Sequence, residues 1–482
     1  MLEHSQPTHL INQSCTSYLN PRNIKFNTEA EFRVRQIKNS VLDYSQIQSM
    51  SKYNGTVVLA QRALHAAAGV MILGLVAHFL SPIEQGYFYT LVSISALYMA
   101  LDMGLSTMLV QFAAREFIGL SWGAAGKVEG VNPSRFLSLI RLSLCWYGMA
   151  AMVFLLFYPA GVAFLDSGHG DLGYDWRGPW ALLVLATAAG FLFLPALALS
   201  EGSGSVAEVY AVRLVQSLLG GVVAWMVLAM GGGLYAVAMM PAVSAVVACF
   251  WLFVRRRRMV LQALKENNRN FHWSLEVWPL QWRIGASWLA GYALVLMHVP
   301  LLFRSQGPVV AGQMGVTMTV ANMLSLLALS WMTARLPAMA QAVATRDWAQ
   351  LDLVFWRAFR VSCLAFAAGA VLFVVVRWAL EWTSFEKRFL PVAETAGLLF
   401  AMGFYHVTGL FAAYLRSHLR EPFLWPSLIG ALLTATAAIW AAPRWGSAGI
   451  VTVLVIINAL FFLPVALGLW VHLRRKWQND SP

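Results

Sequence analysis

Runs of about twenty residues almost free of charge recur along this chain from residue 57 to residue 473, and they decide its fold class. Val57 to Leu80 and Ala181 to Leu199 are two of them. A helix needs about 20 apolar residues to cross a hydrocarbon core about 30 Å thick. In lipid, only helices or closed barrels satisfy every backbone hydrogen bond. The runs are continuous rather than alternating, which selects helices over barrel strands. Only 12% of the 482 residues are charged and 59% are hydrophobic, against about 25% charged in a soluble domain. The chain reads as an all-α polytopic membrane protein.

Spans are expected at 57–80, 86–110, 139–165, 179–199, 206–229, 233–254, 284–303, 308–334, 360–380, 390–415, 423–442 and 446–472, twelve in all. Placing the N-terminus in the cytoplasm puts all but six of the 34 Lys and Arg in or beside cytoplasmic segments, as the positive-inside rule requires. The six are Arg177, Arg304, Arg377, Lys387, Arg388 and Arg444. Orientation then explains the formal charge of +12, with anionic membrane lipid as a partner and no nucleic acid. Cys15, Cys145, Cys249 and Cys363 form no metal-spaced pair.

Helix six ends in the basic run Arg255 to Arg258, and a long connection precedes the seventh span. The expected organisation is a polar, disordered cytoplasmic tail at 1–55, a six-helix lobe at 56–254, a cytoplasmic linker at 255–283, a second lobe at 284–473 and a basic tail at 474–482. Short matches support a repeat: Gln85-Gly86 answers Met314-Gly315, Ala114-Arg115-Glu116-Phe117 answers Thr345-Arg346-Asp347-Trp348, and Arg141-Leu142-Ser143 answers Arg360-Val361-Ser362. A parallel repeat of this kind places a substrate path between the lobes.

Ionisable groups inside the bilayer cost about 2.5–3.5 kcal/mol each on insertion scales, so they face cavities or partners. Here they are Arg62 and His78 in span one, Asp102 in span two, Arg213 in span five, His298 in span seven, and Glu394 and His406 in span ten. Arg283, Arg335 and Arg416 sit nearer cytoplasmic ends. Lys is absent from the apolar spans. An Arg-lined cavity suits a pyrophosphate, because one guanidinium pairs two phosphate oxygens. Arg62, Arg283, Arg335 and Arg416 also lie close enough to an interface to snorkel to lipid phosphates. Glu201 and Glu208 read as charge at a helix N-terminus. The segment FHWSLEVWPLQWRIGASW, residues 271–288, carries four Trp, as membrane-interface belts do. No Walker A, HExxH or GxSxG motif is present, so the chain reads as a non-enzyme without a cofactor.

The glycine in SPIEQGYFYTL, the stretch LDMGLSTMLVQFAARE, and the strings WPLQWRIGASWLAGY (278–292), GPVVAGQMGVTMT (307–319) and YLRSHLREPFL (414–424) resemble the bacterial polysaccharide and O-antigen flippases. These belong to the multidrug, oligosaccharidyl-lipid and polysaccharide exporter superfamily. The resemblance runs from about residue 55 to 470. It implies two bundles around a central cavity in the inner membrane, with both termini cytoplasmic. The implied cargo is an undecaprenyl-pyrophosphate-linked oligosaccharide, and a polysaccharide polymerase and chain-length machinery are the implied partners. By the same analogy Arg62, Arg213, Arg283 and Arg416 would contact the head group, with Asp102 and His298 tuning charge or coupling. The long polar N-terminus departs from that family. Two other classes remain open: a secondary small-molecule exporter, although the span-two loop REFIGLSWGAAGKVEGVNPSR lacks the GxxxDRxGRR-like signature of facilitators, and a polymerase or ligase acting on the same lipid-linked sugars. A structural partner without transport fits the buried cations least.

Met50 stands just before the first span, and the sequence is consistent with translation from there. Mass spectrometry of the native protein tests this: peptides from residues 1–49 would exclude it.

Overall fold

The computed structural model describes residues 69, 71–169, 173–266, 271–383, 385–418 and 422–479. The polar N-terminal segment, Arg62 and most of the first expected span lie outside the described residues. The rest is almost entirely helical. Span two is the broken helix α1 (Pro82–Ser95), α2 (Tyr98–Asp102) and α3 (Leu105–Glu116). α4 (Ser134–Leu155) and α5 (Phe157–His169) make span three; α6 (Arg177–Gly202), α7 (Val206–Ala229) and α8 (Ala236–Trp251) follow as spans four to six. α9 (Arg257–Lys265) and α10 (Trp273–Glu276) connect to α11 (Trp278–Val295) and α12 (His298–Gln306), which are bent by 43° and form span seven. Then follow α13 (Pro308–Thr333), α14 (Leu336–Ala344), α15 (Trp348–Leu380), α16 (Val392–Arg416), α17 (Leu424–Ile457) and α18 (Leu463–Asn479).

Among the described residues nine helical stretches are long and apolar enough to cross a membrane, ten with the bent pair. One of them, Leu424–Trp477, has 54 residues. At 1.5 Å per residue it would reach about 80 Å as a single rod, far beyond any bilayer. It turns back on itself at Gly446, whose φ of 58° and ψ of −140° are not helical. A Cβ on Gly430 would lie 2.1 Å from the Phe462 ring, so residues equidistant from the turn face each other and the segment crosses twice. The described part of the chain therefore accounts for eleven of the twelve expected spans, and the fold is that of a polytopic helical membrane protein.

Within each half, helices approach through small residues, as they do where lipid supplies no hydrophobic drive between helices. Gly202 abuts the Val110 carbonyl and Gly220 the Met240 backbone. Large apolar side chains such as Leu185, Phe250, Leu372 and Leu432 point outward and are exposed, which is the lipid-facing pattern.

The halves meet where α1 crosses α13. A Cβ on Gly86 would fall 1.9 Å from the Pro308 carbonyl oxygen, and one on Gly312 only 2.8 Å from the Gly86 nitrogen. Each glycine stands four residues after the proline that opens its helix, Pro82 or Pro308. The structural counterpart of Gly86 is thus Gly312, three residues from the Gly315 that the sequence match chose. The Gln85 side-chain amide donates a hydrogen bond to the Arg388 carbonyl at 2.9 Å. Further along, Gly104 packs on Ile284 and Gly285 on Met103.

Two features escape an all-helical reading. The loop after span two holds an antiparallel hairpin, β1 (Leu120–Trp122) with β2 (Val128–Gly130). Arg256, only 5% exposed, clamps it: its guanidinium lies 4.2 Å from the Trp122 ring and bonds Glu208 at 2.8 Å and Ser205 at 2.7 Å. The linker is also anchored. Trp273 stacks on Trp146 at 5.8 Å, Phe271 meets Phe112, and Arg135 pairs with both Glu116 and Glu276.

Gly86→Ala is expected to destabilise the purified protein by about 1–3 kcal/mol through overpacking, read as a lower thermal unfolding temperature. Gly74→Ala, whose added Cβ meets nothing within 4 Å, is expected to leave it unchanged.

Candidate functional site

α11 presents Leu280, Arg283, Ile284, Ser287, Trp288, Gly291 and Leu294 to one cavity. This three-and-four spacing is one face of a helix. Tyr405 and Arg416 from α16, and Leu424 and Ser427 from α17 with Phe423 just before it, close the other walls around about 740 Å³. A contiguous recess of about 240 Å³ shares Leu294, Tyr405, Arg416, Phe423 and Ser427 with it and extends to Ser325, His406 and Thr408. α11 begins, and α16 ends, at the same membrane face. Arg283 and Arg416 therefore stand toward that face, opposite the end where Gly86 meets Gly312. The Arg283 guanidinium lies 5.7 Å from the Trp282 ring, and among the described residues it has no ion pair.

Arg213 is elsewhere. It lines a separate cavity of about 460 Å³ in the first half with Ser95, Tyr98, Phe191, Gln216 and Ser244. Its guanidinium is 2.8 Å from Glu201 and lies over the Tyr210 ring at 5.0 Å. Glu201 stands in the last turn of α6, so its partner is this arginine and not a helix N-terminus. Glu208, in the first turn of α7, does take that position and also accepts from Trp251, Arg255 and Arg256.

Asp102 closes α2 at the break in span two, where Met103 and Gly104 both adopt left-handed backbone (φ 49° and 68°). It is 1% exposed. Tyr147 donates to one carboxylate oxygen at 2.5 Å and Ser106 to the other at 3.0 Å; Trp146 caps the Leu101 carbonyl freed nearby at 3.2 Å. His298 opens α12 just past the span-seven bend, fully buried, with Nε2 3.0 Å from the Leu294 carbonyl, and it is not among the residues lining the cavities above. Of the head-group candidates, then, the structure brings Arg283 and Arg416 together, keeps Arg213 apart in an ion pair, and leaves Arg62 outside the described residues.

Sequence reading missed the uncharged lining of the larger cavity, Ser287, Trp288, Tyr405 and Ser427. Arg283, Ser287 and Gly291, spaced by four within a Trp-rich segment, were the available sign. In the sequence the twenty Trp read mostly as interface anchors, with stacking on sugar rings in a cavity left open for some.

No family model matches the sequence, and no curated protein matches it. Solved structures do match in fold. An inward-facing multidrug resistance MATE family transporter of the MOP superfamily aligns with a TM-score of 0.63 at 13% identity, over 88% of this chain and all of that one. The MATE multidrug transporter DinF-BH gives 0.56 at 13% identity, over 90% and 97%. The lipid II flippase MurJ, in an inward closed conformation, gives 0.53 at 12% identity, over 89% and 93%. The chain thus has the fold of the MOP-superfamily transporters.

In a double-mutant cycle on Arg213 and Glu201, the Arg213→Gln and Glu201→Gln changes together are expected to cost less stability than their separate effects added, by about 1 kcal/mol. Each single change leaves a half-buried charge unpaired. Thermal unfolding of the four proteins measures it.

Proposed function

We propose that this protein is a flippase that carries an undecaprenyl-pyrophosphate-linked oligosaccharide from the cytoplasmic to the periplasmic leaflet of a bacterial inner membrane. The observation that carries the reading is the pair Arg283 and Arg416 on the wall of one 740 Å³ cavity. Two guanidiniums match the oxygens of a pyrophosphate. Trp288 and Tyr405 offer flat apolar faces to sugar rings, and Ser287 and Ser427 offer hydroxyls to their edges. The polyprenyl chain stays in lipid while the head is carried.

The basic face is taken as cytoplasmic on the positive-inside rule, with both termini there. The Gly86–Gly312 contact then closes the periplasmic end, and cargo enters from the cytoplasm. Parting α1 from α13 would open the other side. The glycines let the two backbones touch, and around them Tyr87 packs on Phe303 and Tyr89 lies over Gly315, so separation would also part a buried apolar contact. Likeness to a lipid II flippase in fold supports a lipid-linked cargo. A polymerase and chain-length machinery would use the delivered units. The second reading, a small-molecule exporter, is favoured by the likeness to multidrug transporters; a strongly cationic cavity suits anions better than the cations typical of drugs.

Deleting the gene is expected to trap lipid-linked oligosaccharide on the cytoplasmic leaflet and to abolish surface polysaccharide. Complementation with Arg283→Glu plus Arg416→Glu is expected to restore less than about a tenth of the polysaccharide at normal protein levels. Short units that reach the periplasm but fail to lengthen would identify a polymerase instead, and two unchanged pools would favour the exporter.

A further inference from the structure

The recess beside Arg416 ends on an imidazole held in an unusual way. His406 is 3% exposed, stacks on the Phe366 ring at 5.1 Å and 13°, and has a serine hydroxyl at each nitrogen. Ser362 donates to the Ala328 carbonyl at 2.7 Å, so its oxygen is left to accept from Nε2–H at 2.9 Å. Nδ1 must then be the lone-pair side, accepting from Ser325 at 3.2 Å. The geometry defines a neutral tautomer, bridging α13, α15 and α16. Ser325 and His406 both line the recess, so Nδ1 is one hydroxyl away from whatever fills it.

The described groups that face this ring are all neutral or positive. α15 contributes Ser362 and Cys363, α13 contributes Ser325, and α16 itself contributes Tyr405 and Arg416; Arg283 of α11 lies across the adjoining cavity. Among the described residues no carboxylate bonds the imidazole. No described group therefore offers a counter-charge to an imidazolium at this position. A pyrophosphate held by Arg283 and Arg416 would supply one, because the cavity they line adjoins the recess that ends on His406.

We infer that His406 takes up a proton when an anionic head group enters this cavity, so that cargo and proton bind together. The inference rests on the head-group reading of Arg283 and Arg416. The proton comes from water, Nδ1 gains the new N–H bond, and Ser325 turns from donor to acceptor while its hydroxyl hydrogen moves to a carbonyl of its own helix, as serines in helices do. No other bond changes. Coupling of this kind is reciprocal: the anion favours the imidazolium, and the imidazolium favours the anion by the same factor. Affinity therefore strengthens as pH falls through the interval between the titrations of the empty and the loaded site, by about tenfold per pH unit, and is flat on either side of it.

The test uses farnesyl pyrophosphate as the probe and the full-length protein in lipid nanodiscs. Calorimetric titration between about pH 6 and pH 8, in buffers of different ionisation enthalpy, counts the protons taken up. The expected result is close to one more proton bound by the wild type than by His406→Gln, with the steeper pH dependence lost in the variant. Equal proton counts in the two proteins would overturn the inference and leave the head-group reading standing. If the wild type does not bind the probe, or if Arg283→Gln plus Arg416→Gln binds it as tightly, the head-group reading fails and the inference with it. Carbon-13 shifts of the His406 ring in the wild type give an answer independent of any variant: they should move from neutral to imidazolium values on adding the probe, and unchanged shifts at saturation would equally overturn it.

Discussion

Backbone amides in hydrocarbon have no water to bond, and each one left alone costs several kcal/mol. The architecture follows from this, including its irregularities. Where the helices break, something else meets the freed groups. At Met103 and Gly104 the Trp146 indole reaches the Leu101 carbonyl. At the span-seven bend the buried His298 ring turns back to the Leu294 carbonyl. At Gly446 the Gln306 amide reaches across to the Ala442 carbonyl at 3.1 Å. The breaks are built with side-chain partners in place, and two of the three carry the titratable groups that stood out in the sequence.

That explains which parts of the molecule were legible from residues alone. Span positions depend on the length and apolarity of single segments, and eleven could be matched. The break at Gly446 was legible too, since Pro443, Arg444 and Gly446 interrupt the apolar run. Pairwise relations were not. The assignment of Glu201 to helix-end charge failed because its partner, Arg213, lies across a helix turn that sequence spacing does not measure. Gly86 was matched three residues out of register because a shared glycine outweighed the better landmark, a proline four residues before each contact glycine. The β hairpin was invisible because its supports, Arg256 over the Trp122 ring and the Gln262 side chain on Val128, come from far along the chain.

The arginines divide by what surrounds them. Arg256, Arg135 and Arg474 are satisfied by Glu208, by Glu116 with Glu276, and by Asp352, and they hold the basic face together. Arg283 on the cavity wall differs in facing open volume, with no described carboxylate paired to it. A count of positive charges could not separate these two kinds of site, and topology alone explains the first.

The anchoring of the linker bears on how such a protein is assembled. Phe271, Trp273 and Glu276 grip the first half, while Trp278 already belongs to α11 of the second. A single residue, Val277, stands between a segment packed on helices of the first half of the chain and a helix of the second. The second half thus carries its own docking peptide at its leading edge, and as synthesis proceeds that peptide meets a first half already complete. Insertion of span seven would then begin from a point tethered to its neighbours, so the later helices grow from a held end and not from a free one.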